Sequence, residues 1–233
     1  MLNELNTALR TFKNQSGEIL AIYADDSCSC DSPMEWGTLF HYYTWQSGYY
    51  SMQENDFRSP EDWINYELES DDAFDKIQEK CLEKGKGVVE FANALCDALD
   101  KVGIIAKPIL CYDHSDIKYY LGNHIDYWDG SVVGFVWQEK EVLRNEFKVK
   151  RLSKKCCEQA FSMVEARLET YTSWANGYVY GYRLFNKLGE EVDSCWGFIG
   201  NIYDELLSDI KSYVDTDDDK FIEFEPENFK QAV

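Results

Sequence analysis

Cys28-Ser29-Cys30 places two thiols one residue apart in a polar loop, and thiolates are ligands that zinc favours. His41, or a further cysteine such as Cys195, would extend the set if the fold brought it near. The spacing is tighter than in common zinc loops, and no second pair matches it, because Cys156 and Cys157 are adjacent and at least one of them faces a helix core. Unliganded thiols are the alternative. Cys111, Asp113 and His114 bring together a thiol, a carboxylate and an imidazole, the minimum for acyl transfer. Strand side chains alternate between faces, however, and Cys111 ends an apolar run. The pattern therefore predicts a buried cysteine followed by a turn in which Asp113 and Ser115 bond the backbone. Asp215, Asp217 and Asp219 alternate as calcium ligands do, but Lys220 stands where the calcium loop needs glycine and Pro226 where it needs glutamate. A solvated charge run is the better account. There is no glycine-rich phosphate loop and no HExxH, and no catalytic residue is assigned.

The elements that must hold these residues centre on Pro108–Trp137. Two short strands flank the turn Tyr112-Asp113-His114-Ser115, a polar loop closes at Asp129-Gly130, and a third strand runs from Val132 to Trp137. Before it, the spacing predicts an amphipathic helix over residues 1–16 from Leu2, Leu5, Leu9 and Phe12, then a strand from Glu18 to Ala24 and an aromatic strand between Trp36 and Tyr50. Ser59-Pro60-Glu61-Asp62 is a helix start, with a hydroxyl cap, proline at the first position and acids at the positive end of the dipole. Further helices are predicted from Asp71-Asp72 to Gly85, over Val88–Lys101, over residues 138–147, after Ser153 with Cys156, Ala160, Met163, Val164, Leu168 and Tyr171 on one face, and from Asn201. Tyr178–Phe185 and Glu191–Ile199 read as a hairpin, and Phe221–Phe224 as an edge strand. The class expected is α+β, a single domain over residues 1–233 built on a mainly antiparallel sheet flanked by amphipathic helices, with 219–233 as a loosely held tail.

Net charge speaks to partners and solubility and not to fold. With 23 bases against 43 acids the chain carries a net −20. Residues 54–84 hold 11 acids and 4 bases and residues 189–227 hold 13 acids and 2 bases, whereas residues 139–158 hold 7 bases and 4 acids. Such acidity serves solubility, or it presents a surface that competes with a polyanion for a basic cleft. The tyrosines at 42, 43, 49, 50, 178, 180 and 182 could stack bases, but they stand in an acidic setting that repels phosphates, so strand packing or a protein interface is expected instead. The N-terminal residues carry no basic segment followed by an apolar one, and no apolar run approaches membrane-spanning length. These features predict a cytoplasmic protein that touches neither membrane nor nucleic acid directly.

Trp36-Gly37-Thr38-Leu39 with His41, Tyr112-Asp113-His114-Ser115, Trp128-Asp129-Gly130 followed by Val133-Gly134-Phe135, Gly177–Tyr182 and Asp193-Ser194-Cys195-Trp196-Gly197-Phe198 together resemble a family of uncharacterised proteins carried by bacteriophages and conjugative elements. Asp116 stands where that pattern has glycine. The resemblance implies a mobile-element context, where small acidic proteins often disable host defence, and it assigns no site residues.

Charge and context lead to one expectation. It is a non-enzymatic inhibitor of a host nucleic-acid-binding defence complex, an anti-CRISPR or antirestriction protein, meeting its target nuclease through Asp71, Asp72, Asp215, Asp217, Asp218 and Asp219. The alternatives are a zinc-binding or thiol-dependent enzyme, with Cys28, Cys30 and His41 as metal candidates and with Cys28, Cys30 or His114 needed for activity, and a phage replication or packaging accessory protein.

Overall fold

The computed structural model describes residues 5–26, 30–46, 51–203, 205–214 and 220–225. By its contacts the chain divides into two compact units, residues 32–172 and residues 1–31 with 173–233. The class is α+β, as the sequence predicts, and every strand pairing among the described residues is antiparallel. The strands are shared between two sheets.

The unit formed by residues 32–172 contains a sheet in the order β3-β6-β4-β5, with β3 at His41–Thr44, β4 at Ile104–Asp113, β5 at Ile117–Tyr120 and β6 at Gly130–Glu139. Odd-numbered residues of β6, Phe135 and Trp137, face one side. There they form a core with Trp63 and Ile64 of helix α1 (Pro60–Glu67) and Ala92, Leu95 and Leu99 of α3 (Val88–Lys101). Between these helices lies α2 (Ala73–Leu82), and β6 leads into the short α4 (Lys140–Glu146). The opposite face holds Val136, Tyr42 and Cys111 and is covered by α5 (Lys154–Ala175), whose Phe161 ring lies 5.5 Å from Phe40 and whose Tyr171 ring lies 5.4 Å from Tyr119. Phe161 takes the buried place that helical spacing gave to Met163, which is half exposed. A Cβ at Gly134 would fall 2.0 Å from the Tyr43 carbonyl oxygen, so glycine is what lets β3 lie against β6.

Helix starts follow the sequence signals. Ser59 Oγ accepts from the Asp62 amide with Pro60 next in line, and Ser153 Oγ accepts from the Cys156 amide. In both cases a hydroxyl satisfies an amide that the helix cannot.

The other unit is a sheet in the order β8-β7-β2-β1-β9, comprising β1 (Arg10–Lys13), β2 (Ile19–Ala24), β7 (Val179–Phe185), β8 (Glu191–Ile199) and β9 (Ile222–Glu223). One face packs Phe12, Leu20, Ile22 and Tyr182 under Ile210 of α6 (Glu205–Val214), and the other packs Leu5, Ile19, Ala21, Tyr23 and Phe185. The amphipathic helix expected over residues 1–16 is corrected here: Arg10–Lys13 is a strand. Leu9, which the helical stripe would bury, is half exposed, while Phe12 fills a sheet face by alternation and Gly17 turns the chain back with φ +87°. The hairpin of β7 and β8 and the edge strand β9 are as expected. At that hairpin Asn186 Oδ1 accepts from the amides of Leu188 and Glu190.

Candidate functional site

The β4–β5 turn and the loop entering β6 meet at one end of the sheet in the unit of residues 32–172. Cross-strand pairing brings Tyr112 opposite Gly130 and Asp113 opposite Ile117, and the Asp113 amide donates to the Asp129 carbonyl at 3.0 Å. His114 Nδ1 lies 3.3 Å from Asp129 Oδ2. A Cβ at Gly130 would fall 2.4 Å from Asp126 N and 2.5 Å from Asp126 O, so the loop can fold back onto the start of β6 only because that position has no side chain.

Asp126 fixes this loop from within. Its carboxylate accepts from the amides of Trp128 at 2.8 Å and Asp129 at 3.0 Å, a local side-chain turn of the kind aspartate favours. Those two amides, Asp129's first, hold its pKa below the ordinary carboxylate value, since they bond only the charged form well. With the backbone fixed, Tyr127 and Trp128 stand outward. They are 87% and 85% exposed and meet edge to face with centroids 5.0 Å apart. The segment from Tyr112 to Gly130 carries Asp113, Asp116, Asp126 and Asp129 against Lys118 alone. The result is an acidic tip with two displayed aromatic rings. Ring faces and carboxylates are groups that an ammonium or guanidinium contacts favourably.

The residues singled out by sequence fall in several places. Asp71 and Asp72 lie between α1 and α2. The Asp72 carboxylate is 2.8 Å from Lys76 Nζ and accepts from the Ser70 hydroxyl, and these partners, Lys76 first, hold its pKa below the usual range. Asp72 is thus partly neutralised within its own helix. The Asp71 carbonyl accepts from Asn65 Nδ2 while the residue stays exposed. Asp215, Asp217, Asp218 and Asp219 lie outside the described residues, as do Cys28, Tyr49 and Tyr50. Cys30 belongs to the unit of residues 1–31 with 173–233 and His41 to the other. Among the described residues no three histidine, cysteine or acidic side chains form a group that could hold a metal. His41 instead stacks on Trp137 at 4.5 Å, and burial pushes its pKa down.

Cys111 is fully buried on the α5 side of its sheet, and burial raises its thiol to about 11, with Gln46 Nε2 at 3.7 Å as its polar neighbour. A thiol so held is almost wholly protonated at neutral pH. His114 meanwhile pairs with Asp129, so Cys111 and His114 do not form a nucleophile and base. The buried cysteine followed by a turn is the outcome the alternating strand predicts.

Sequence reading missed Asp126 and Tyr127 and did not give Trp128 a partner-binding role. The signal was present in Asp126-Tyr127-Trp128-Asp129-Gly130: an aspartate whose acceptor reaches the second and third amides ahead, followed by a glycine that admits backbone. No family model matches this chain, and neither a curated protein nor a solved structure matches it.

Proposed function

We propose that this protein is a non-enzymatic inhibitor of a host nucleic-acid-binding defence complex, anti-CRISPR or antirestriction in kind, and that it docks through the acidic tip around Tyr127 and Trp128. The observation that carries this reading is the pair of rings displayed on a loop whose backbone is already fixed, in a segment, residues 112–130, that holds four aspartates against one lysine. Exposed tryptophan and tyrosine on a rigid support make interface anchors because little conformational freedom is lost when they are buried. The surrounding carboxylates suit a groove whose lysines and arginines ordinarily hold phosphates, and they speed encounter at low salt. Asp71 and Asp72, and on charge alone Asp215, Asp217, Asp218 and Asp219, are proposed as further acidic contacts. The resemblance to mobile-element proteins supplies the setting.

The test is a pull-down from host lysate at low and at high salt, followed by addition of duplex DNA to the captured complex. A defence nuclease retained at low salt, released at high salt and displaced by DNA is the expected result. Recovery of replication or packaging proteins alone would replace this reading with that of an accessory protein.

A further inference from the structure

The packing of α2 against α3 leaves a groove of about 250 Å³ in the unit formed by residues 32–172. Four lysines, Lys80, Lys84, Lys86 and Lys101, line it. Its floor is apolar, made by Ile77, Cys81, Ala94 and Ala98. The chain carries nearly two acids per base. Lys76 pairs with Asp72, Lys140 with Asp100 and Lys154 with Glu158. None of the four groove lysines lies within ion-pair distance of a carboxylate among the described residues, although Asp97 also lines the groove.

Helix dipoles account for only part of this gathering. Lys80 and Lys101 sit in the last turns of α2 and α3, where a cation offsets the negative helix end. Lys84, just past the C-cap Glu83 of α2, fits it as well, and Lys86 does not. They occupy the turn into α3, and Lys86 stands just before its positive end, where a cation is disfavoured. The turn is nevertheless built to hold them. Both amides donate to the Cys81 carbonyl, at 3.1 and 3.0 Å, and Gly85 between them takes φ +63°. Two ammonium groups are thus carried on a fixed turn at one end of an apolar groove.

We propose that this groove binds a small phosphate ester, its phosphate held by Lys84 and Lys86 with Lys80 and Lys101 along the rim, and its compact body lying on Ile77, Cys81 and Ala98. The volume falls below the roughly 300 Å³ at which pockets for drug-sized ligands begin, so the body is no larger than a single nucleoside. Ammonium-to-phosphate contacts supply charge-assisted hydrogen bonds, and the apolar floor gives a preference over inorganic anions. This site is independent of the acidic tip, and either can fail without the other.

The test uses the full-length isotope-labelled protein, with amide shifts followed as adenosine monophosphate is added to millimolar concentration at near-physiological salt. Parallel titrations use inorganic pyrophosphate and adenosine. The expected result is saturable shifts at Cys81–Lys86 and Ala94–Lys101, with the nucleotide binding more tightly than either pyrophosphate or adenosine. Lys84→Gln with Lys86→Gln should weaken binding about tenfold, as loss of charge-assisted contacts implies, while Lys148→Gln with Lys150→Gln should leave it unchanged. Absence of saturation, shifts centred on residues 148–155, or equal response to pyrophosphate and nucleotide would each overturn the assignment. Since all of the substituted lysines are exposed, a folding failure does not confuse the comparison.

Discussion

Trp128 and Trp196 both follow an aspartate-bearing stretch and both depend on a glycine, yet one ring is displayed and the other is packed. Trp196, on β8, is 39% exposed and lies over Gly181 of β7, where a Cβ would fall 2.2 Å from the ring. Arg183 crosses above it with the guanidinium 5.8 Å from the ring centroid and also 5.6 Å from Tyr23. Nearby, on the other face of β7, Asp193 Oδ2 accepts from the Tyr182 hydroxyl at 2.8 Å, which is one cause, after burial, of that tyrosine's pKa of about 12. At Trp128 the glycine makes room for backbone instead of a ring, and the aspartate bonds amides instead of a side chain. Where glycine admits the ring, tryptophan becomes structure; where it admits the loop, tryptophan stays exposed.

The sharpest way to break this contrast is to fill the glycine under the packed ring. Gly181→Val should cost about 3 kcal/mol through overpacking, read as a lowered denaturant midpoint. A variant as stable as the parent would mean that the ring does not rest there. Next comes truncation of each ring in turn. Trp196→Ala should lose about 2 kcal/mol, because much of the ring is buried, whereas Trp128→Ala should stay within about 0.5 kcal/mol of the parent. Equal losses would erase the distinction.

Acid sharpens the picture at the tip and has the smallest effect. The folded state holds the Asp126 carboxylate below its ordinary pKa, so its contribution is complete above the ordinary value and is lost as pH falls through the depressed one. Below pH about 4 the protection factors of the Trp128 and Asp129 amides, each taken against the intrinsic exchange rate at the same pH, should therefore fall, while those of β7 stay high. Unchanged protection at the tip would show that the carboxylate does not hold the loop.

Much of this was legible in the chain. Ser59-Pro60 and Ser153 announced their helices, and the alternation around Cys111 predicted its burial. Two of the hairpins were marked, by Tyr112–Ser115 and by Leu188-Gly189. The first sixteen residues misled because Leu5, Leu9 and Phe12 satisfy a helical spacing, while pairing with β2, distant packing under α6 and the turn at Gly17 decide for a strand. The tip was harder to see, since Asp126 reads as one more acid in an acidic chain. Its meaning lies in two backbone bonds and in a contact that Gly130 alone permits. The groove lysines were hidden similarly: Lys80 and Lys84 count within residues 54–84 as partial relief of a net negative charge, and Lys86 and Lys101 fall beyond that segment. Their convergence depends on how α2 packs against α3, and no linear count registers it.

The most direct test of the central claim is to compare retention of a nucleic-acid-binding defence protein from host lysate by the parent chain and by a Tyr127→Ala, Trp128→Ala variant of equal stability. Loss of two anchoring rings predicts a fall in affinity of roughly 30-fold or more, with Asp71→Asn and Asp72→Asn producing a smaller decrease. Undiminished retention by the ring-deleted variant would contradict the claim that this tip is where the partner binds.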